Sequence, residues 1–415
     1  MGLLIPGPAP DGGATSAARS AEEIVDVVRR LPLIDHHCHG VVTTDLDRAG
    51  FERLISEGGQ APDGLTNFDT PIGLAIRRHC APVLGLRPHA PPATYLARRA
   101  ELGVGEVTRR LLATTGTARY VVDTGFLSEA LTTPGELAEV AGAVGHEIVR
   151  LESVAEQVAA SGASAGRFVG AIADALERAV QDRRAVGVKT VAAYRVGLDL
   201  DPARPGPVEV AHAAQAWFAA GPGPRPGDRP RWRLTDPVLT RALLWAAVDI
   251  GLPIQVHVGF GDADIRMHRV DPSLLTDWLA RHRVPVMLLH CWPFHRTAAF
   301  LAAVHPHVHL DLGLALHYLG PARATAVLAE AAEVAPFGKL LYSSDAFGVP
   351  ELYHLAALAF RTGCADLLAR RVADGEWSVA DAVRIAEMIA HGNAARVYRL
   401  DPIAAVPTRP AGEQR

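Results

Sequence analysis

The sequence predicts an α/β fold, a closed (β/α)8 barrel of the TIM type, from three observations. Eight short runs rich in β-branched residues recur along the 415-residue chain. The connections between them are long enough for the crossover helices that parallel strands require. No GxGxxG or GxxxxGK[ST] motif follows any run, which counts against the alternative of an open, doubly wound sheet with a nucleotide site.

The eight runs define the predicted strands and the domain limits. Residues 1–30 are expected to form an N-terminal arm and a helix at about 21–30, residues 31–400 the barrel, and residues 401–415 a tail. The connection at about 40–117 holds several helical patterns and predicts a helical insertion that covers the C-terminal mouth of the barrel. The stretch 219–233, rich in Pro, Gly and Arg, predicts a surface loop. The runs are Leu31–His39, Ala118–Gly125, His146–Ser153, Val186–Tyr194, Pro253–Gly259, Val284–Cys291, Val308–Ala315 and Leu340–Ala346.

Composition narrows the classes of partner. The net charge of −4 offers no basic field for a nucleic-acid backbone, so we expect no nucleic-acid partner. The chain contains no run of 18 apolar residues, so we expect no membrane span. The first twenty residues lack the pattern of a secretory leader. The four cysteines are scattered and form no CxxC pair, which favours reduced thiols in a cytoplasmic protein. The sequence neither requires nor excludes a homo-oligomer.

The strongest chemical signal is the segment Asp35-His36-His37-Cys38-His39. Because side chains alternate along a strand, His37 and His39 are expected to point the same way at the end of the first strand. Two imidazoles about 7 Å apart on one face can close on a single metal ion if the strand end bends. The alternative is a pair of structural, hydrogen-bonded histidines.

Three further strand ends favour the metal site. His257 ends the fifth run, His290 the sixth, and Asp345 the eighth. In a barrel these C-terminal ends converge on one mouth, where active sites are found. Imidazole and carboxylate ligands suit Zn²⁺, Mn²⁺ or Fe²⁺ rather than Ca²⁺. The sequence therefore predicts one or two divalent metal ions, with Zn²⁺ as the preferred metal.

These residues resemble the pattern of the amidohydrolase superfamily. The more specific resemblance is to its amidohydrolase-related branch, and within it to the domain found beside glutamine-synthetase-like domains in nodulin-type proteins. It covers residues 31–400. The segments that carry it are FERLISEGG, VGVKTVAAYRVGL, VHVGFGDAD, LHCWPFHR, LDLGLALHY, KLLYSSDAFGVPELY and HGNAARVYRL.

The resemblance implies a (β/α)8 barrel and metal-dependent hydrolysis, most often of amides or esters. It implies that His37, His39, His257 and Asp345 bind the metal and that Asp345 is the general base toward the attacking water. His290 would bind a second metal or polarise the scissile carbonyl. These roles agree with general chemistry, since a metal lowers the pKa of water toward about 7 and a carboxylate can relay its proton.

Lys189 on the fourth run is a further candidate ligand. Only Lys189 and Lys339 occur in a chain that otherwise uses arginine. A buried lysine amine can lose its proton and react with CO₂, and some superfamily members carry such a carboxylated lysine between two metals. The alternative is a buried ion pair, for example with Glu152.

Other residues near strand ends are candidates for substrate binding. By strand alternation, Arg195 shares the face of Lys189 nearer the mouth, where a guanidinium could clamp a carboxylate. Glu152, Trp292 and His317 are the remaining substrate-binding candidates, and Tyr194 lies nearby. We expect structural roles for Asp35 and Asp311, turn formation by Asp262 and Asp264, and an opposite orientation for Cys38 and Cys291.

Together these features predict an enzyme that hydrolyses a C–N bond in a small substrate carrying a carboxylate. A γ-glutamyl amide is attractive by analogy with the branch alone. Decarboxylation, lactone hydrolysis and sugar-acid isomerisation on the same barrel remain alternatives. A non-catalytic partner of a glutamine-synthetase-like enzyme is the alternative outside enzymes.

Overall fold

A computed structural model describes residues 12–125, 130–225 and 228–403. Its main sheet has seven strands in the order β1-β2-β3-β4-β7-β8-β9, and every neighbouring pair is parallel. A separate antiparallel pair, β5 and β6, follows β4. The strands are β1 (Leu33–Cys38), β2 (Thr117–Asp123), β3 (Val144–Arg150), β4 (Gly187–Thr190), β5 (Gly223–Arg225), β6 (Asp228–Arg231), β7 (Ile254–Val258), β8 (Val286–His290) and β9 (Val308–Leu310).

Helices fill the connections between the strands. The α-helices are α1 (Gly12–Arg30), α2 (Arg48–Leu54), α3 (Pro71–Ala75), α4 (Ala81–Val83), α5 (Pro92–Leu102), α6 (Val104–Ala113), α7 (Pro134–Ala141), α8 (Leu151–Ala160), α9 (Ala165–Asp182), α10 (Ala192–Arg195), α11 (Pro207–Ala220), α12 (Pro237–Ile250), α13 (Thr276–Leu279), α14 (His295–Val304), α15 (Ala315–Leu319), α16 (Pro321–Ala331), α17 (Pro350–Ala373), α18 (Val379–Glu387) and α19 (Asn393–Val397). Two turns of π-helix occur, at Ile76–Cys80 and Met388–Gly392. Short 3₁₀ helices occur at Asn67–Asp69, Met267–Arg269, Pro272–Leu275 and Phe337–Lys339.

Seven of the eight predicted runs contain a strand, but the eighth does not. The segment 340–348 forms isolated bridges, Leu310 with Leu340 on the β9 side and Val41 with Gly348 on the β1 side. Its backbone is irregular because Asp345 adopts a positive φ of 49°. Hydrogen bonds nevertheless connect it to both neighbours, so this segment lies between β9 and β1.

Three other boundaries differ from the sequence prediction. The first helix begins at Gly12, inside the predicted arm, while residues 1–11 lie outside the described residues. The third and fourth runs end early, because α8 begins at Leu151 and α10 at Ala192. The predicted loop at 219–233 contains the β5–β6 pair, whose antiparallel hydrogen bonds satisfy part of its backbone. Of the tail, only residues 401–403 are described.

The sheet is covered on both faces, as parallel sheets require. All six residues of β1 and all five of β7 are buried. One apolar cluster draws Ile34, Val121 and Ile148 from β1, β2 and β3 together with Met287 and Leu289 from β8. Contact between strands so far apart in the sheet order shows that the sheet curls, and this cluster fills the inside of the curl.

The helices between β1 and β2 are anchored to α17 by a buried ion pair. Arg99 of α5 donates to both carboxylate oxygens of Glu351, at 2.6 and 3.3 Å, and Tyr95 donates to the same carboxylate at 2.7 Å. The Arg99 guanidinium also lies over the ring of Phe51, 4.7 Å from its centroid. These contacts fix the helices between β1 and β2 against α17.

Replacing Glu351 with Gln should lower the free energy of unfolding by about 3 kcal/mol, because Arg99 would stay buried without its counter-charge. Denaturant-induced unfolding followed by circular dichroism measures this. Glu106→Gln is the matched control, since Glu106 pairs with Arg109 and Arg110 on the surface. Equal losses in the two variants would contradict the anchoring role.

Stability should fall as the pH drops from about 6.5 to about 4. Burial and the charge of Arg283 lower the pKa of both His282 and His307 to about 4, against 6.5 in the unfolded chain, and the neighbouring His307 adds to the effect on His282. The unfolded state therefore binds protons first, and the stability present above pH 6.5 is lost over this window. Their rings lie 5.2 Å apart.

Thermal unfolding across this pH range tests the effect. His282→Phe should flatten the dependence, because one of the two buried histidines is removed while a ring of similar size remains. His268→Phe, at an exposed position, should leave it unchanged. An unaltered slope in the His282 variant would assign the acid sensitivity to other groups.

Candidate metal centre

Four histidines and one aspartate meet at the C-terminal ends of the strands. The Asp345 Oδ1 atom lies 2.9 Å from His37 Nε2 and 3.3 Å from His39 Nε2. Its Oδ2 atom lies 3.5 Å from His290 Nδ1. The ring of His257 lies beside that of His290, tilted by 52° to it, with centroids 4.5 Å apart. The structure thus brings together all five residues that the sequence selected.

The donor atoms of this cluster fit a divalent cation. His37 and His290 are fully buried, and His257 is 2% exposed. Within the part of the chain that the structure describes, the Nε2 atoms of His257 and His290 have no hydrogen-bond partner. A buried polar atom left unpaired costs about 1–3 kcal/mol, which a bound ion would offset. Ligand atoms of His37, His290 and Asp345 all lie within 4.8 Å of one another.

The protonation states suit metal binding. Burial lowers the pKa of His37 to about 3 and that of His290 to about 4, and holds the pKa of His257 well below its usual value. Burial alone would raise the pKa of Asp345, but His290 and His37 outweigh it and hold that pKa well below the usual range. Neutral imidazoles and an ionised carboxylate are the forms that ligate a metal.

Two residues of the cluster hold strained backbone conformations. The φ angles of His290 and Asp345 are 68° and 49°, in the left-handed region that residues other than glycine rarely adopt. Such strain, of order 1–3 kcal/mol, concentrates at functional sites. Here the backbone N of His290 donates to Asp311 Oδ1 at 2.6 Å, and that of Asp345 donates to the His37 carbonyl at 2.9 Å.

Two buried aspartates support the cluster from below, in the structural role expected of them. Asp311 accepts hydrogen bonds from Gly313 N and from Ser343 Oγ, and lies 2.7 Å from His36 Nε2. Asp35 accepts from the backbone N of Ser344 at 2.8 Å and from its hydroxyl at 2.5 Å. Both therefore fix the segment that carries Asp345.

The simple alternation assumed for the first strand does not hold. The register of β1 against β2 shifts between Asp35 and Cys38. As a result, the consecutive residues His36 and His37 both face polar groups: His36 contacts Tyr398 and Asp311, and His37 contacts Asp345. Such a bulge re-aims side chains beside a site.

Lys189 belongs to the cluster, and its partners differ from the one considered in the sequence analysis. Its Nζ lies 2.9 Å from His37 Nε2 and 3.9 Å from Asp123 Oδ2. Glu152 is not its ion-pair partner, because that carboxylate accepts from Thr190 Oγ1 and Val191 N instead. Burial lowers the pKa of the Lys189 amine, although Asp123 opposes this.

Asp123 is a site residue that sequence reasoning missed. It ends β2, is 1% exposed, and accepts two hydrogen bonds from Arg150, at 2.6 and 3.1 Å. Its carboxylate and the rings of His37 and His39 offer ligand atoms within 4.8 Å of one another. Its signal in the sequence is a carboxylate at the C-terminal end of a predicted strand.

The residues predicted to bind substrate are less uniformly placed. Arg195 lies in helix α10, so the strand alternation used to orient it is wrong, and its Nη1 pairs with Glu156 Oε1 at 3.1 Å. His317 is buried close enough to the cluster for Asp345 and His290 to act on its pKa, which burial lowers to about 4. Trp292 is half-buried, with its ring 5.9 Å from that of Phe260.

The loop after β7 lies directly over the cluster. A Cβ on Gly261 would stand 2.3 Å from the Tyr194 hydroxyl and 3.0 Å from His257 Nε2. The ring of Tyr194 lies 4.4 Å from that of His257. Glu57, which follows α2, also approaches the site: burial and the charges of Asp345 and Asp262 raise its pKa to about 8. Sequence reasoning assigned no role to Glu57 or Gly261.

The family is decided by the sequence comparison. Residues 148–400 match the family described as Amidohydrolase. The chain belongs to the amidohydrolase family. The match contains Lys189, His257, His290 and Asp345, which confirms the resemblance drawn from these residues, whereas His37 and His39 precede it.

Relatives of known sequence or structure agree with this membership. Protein fluG of Emericella nidulans is 32% identical over 232 residues, which are 54% of this chain and only 26% of fluG. A solved Lactobacillus casei protein described as a metal-dependent hydrolase is 28% identical, with a TM-score of 0.76; the match covers 91% of this chain and 97% of that one.

Two solved isomerases share the fold at lower identity. The uronate isomerase of Bacillus halodurans has a TM-score of 0.61 at 12% identity, covering 95% of this chain and 98% of its own. The glucuronate isomerase of Caulobacter crescentus has a TM-score of 0.63 at 16% identity, covering 97% of this chain and 98% of its own.

Among the helices described here, none is both long and apolar enough to cross a membrane.

Gly261→Ala should weaken metal binding at least tenfold, because the added methyl group must displace Tyr194 or His257. Competition between the protein and a chromophoric chelator for Zn²⁺ measures the affinity. Gly166→Ala is the control, since a Cβ there meets no atom within 4 Å. Equal affinities in the two variants would show that the loop adapts without moving His257.

Proposed function

We propose that this amidohydrolase-family enzyme hydrolyses the C–N bond of a small substrate that carries a carboxylate. The observation that carries the proposal is the buried cluster of four histidines and one ionised aspartate at the C-terminal ends of the strands. The donor set favours Zn²⁺, with Mn²⁺ or Fe²⁺ as alternatives.

The proposed ligands are His37, His39, His257 and Asp345. When bound, the ion lowers the pKa of a water molecule and polarises the substrate carbonyl. Asp345 takes the proton of the attacking water and returns it to the leaving amine. His290, a neutral imidazole whose Nε2 has no partner among the described residues, can donate a hydrogen bond to the carbonyl oxygen.

Lys189 and Asp123 support a second ion beside the first. Both are buried; Lys189 Nζ lies 2.9 Å from His37 Nε2, and Asp123 offers a ligand atom within 4.8 Å of those of His37 and His39. A lysine whose pKa is lowered by burial can react with CO₂, and the carbamate would then join the ligands. The metal content per chain distinguishes one bound ion from two.

Substrate recognition is assigned to residues around the mouth. We place Arg195, Glu152, Trp292 and His317 at the substrate, with Arg195 exchanging Glu156 for a substrate carboxylate. A γ-glutamyl amide fits this assignment by analogy with the branch that the sequence resembles. The helices α2 to α6 would act as a lid that excludes water, and the segment 340–348 would close an eight-membered barrel over residues 31–400. The proposed location is the cytoplasm.

Sugar-acid isomerisation is the second candidate. It is favoured by one observation, the shared fold of the two solved isomerases over nearly the whole chain. Decarboxylation, lactone hydrolysis and a non-catalytic role have no comparable support. Product analysis separates them, since hydrolysis releases an amine and isomerisation converts an aldose to a ketose.

The metal content should be two equivalents per chain and fall to one or none in Lys189→Ala. Elemental analysis of protein purified without chelator measures it. One equivalent in both proteins would indicate a mononuclear site with Lys189 outside it. Negligible metal that added Zn²⁺ or Mn²⁺ cannot restore would overturn the hydrolase proposal.

Asp345→Asn should lower kcat on a γ-glutamyl amide by about 10²–10⁴-fold, because the amide cannot accept the proton of water. Amine release under saturating substrate measures this. Asp366→Asn is the control, since Asp366 pairs with Arg370 at the surface. Amine release that survives in the Asp345 variant would exclude this residue as the base.

A further inference from the structure

A second cavity lies at the opposite end of the sheet from the metal centre and has a volume of about 550 Å³. Its wall contains the residues just before four strands: Val186 before β4, Pro253 before β7, Pro285 before β8 and His307 before β9. The end of α19 and the residues that follow it also line the cavity. A volume between about 300 and 1,000 Å³ is typical of sites for small molecules.

Among the described residues, every charged side chain in this wall is basic. They supply Arg283, Arg396 and Arg399 to the wall but neither an aspartate nor a glutamate. Within the described residues none of these three arginines forms an ion pair. Arg283 donates instead to the backbone carbonyl of His282 at 2.6 Å, and Arg396 to the carbonyl of Gly338 and to Asn393.

Within the described part of the chain, no acidic side chain of the wall offsets the positive charge of these arginines. His307 and His309 line it and are 6% and 4% exposed. After burial, Arg283 is the main influence that lowers the pKa of His307, and Arg396 the main one that lowers the pKa of His309. Arg396 also depresses the pKa of Lys339, again after burial. An acidic neighbour would act in the other direction.

We propose that this cavity binds a small anion carrying phosphate or carboxylate groups, held by Arg283, Arg396 and Arg399. Guanidinium groups bind both kinds of group through paired hydrogen bonds, and an anion would supply the missing counter-charge. The neutral imidazoles of His307 and His309 can add hydrogen bonds. The site is independent of the proposed reaction, because catalysis takes place at the other ends of the strands.

Isothermal titration calorimetry on the metal-loaded full chain tests the proposal, with inorganic phosphate and glutarate as separate probes. Wild type is expected to bind at least one of them, more weakly at high salt. The double variant Arg283→Gln/Arg396→Gln should bind it at least tenfold more weakly. Arg281→Gln should match wild type, because this exposed arginine lies two residues from Arg283 but outside the wall.

The outcomes separate the sources of binding. Loss of phosphate binding in the double variant supports a phosphate ligand, and loss of glutarate binding supports a dicarboxylate. Binding that the double variant retains would place the anion elsewhere, the metal centre included, and would overturn the proposal, as would no binding by wild type. Because Arg396 also contacts backbone, the single variant Arg399→Gln repeats the test if the double variant fails to fold.

Discussion

The centre depends on the pairing between β1 and the irregular segment 340–348. The backbone of His36 donates to the Tyr342 carbonyl, and the backbone of Asp345 donates to the His37 carbonyl. This register places the Asp345 carboxylate between His37 and His39. A slip of one residue would turn Asp345 away from both rings, so the proposed metal ligands and the fold share one set of hydrogen bonds.

Burial then determines the chemistry of the assembled groups. Burial lowers the pKa values of His37, His257 and His290 and keeps these imidazoles neutral, while the proximity of His290 and His37 keeps Asp345 ionised. Burial by itself would raise the pKa of Asp311, which lies beneath the cluster. Its contact with His36 outweighs this effect and lowers the pKa of Asp311 to about 2, so that the carboxylate stays charged. The centre is therefore prepared for a cation before one binds.

A chain of side-chain contacts connects the basic cavity at one end of the sheet to the candidate metal centre at the other. Tyr398 lines the basic cavity, and its hydroxyl lies 3.0 Å from His36 Nδ1 and accepts from Gln255 Nε2 at 2.8 Å. His36 contacts Asp311, which accepts from the backbone of His290. Oppositely charged ligands are proposed at the two ends of the sheet. As far as the structure describes the chain, buried imidazole nitrogens lack hydrogen-bond partners at the cation end, and arginines lack ion-pair partners at the anion end.

The sequence by itself determined the alternating α/β class and the family. It also determined the histidines and the aspartate of the centre, because the C-terminal ends of the strands of a barrel converge on one mouth. It did not determine Asp123, whose partners Arg150 and Lys189 come from other strands, or Gly261, whose role depends on its approach to His257. The orientation of Arg195 and the register shift that re-aims His36 and His37 also became apparent only in the tertiary structure. Local periodicity specifies which residues are buried, but contacts between distant strands and departures from regular register arise only when the chain packs.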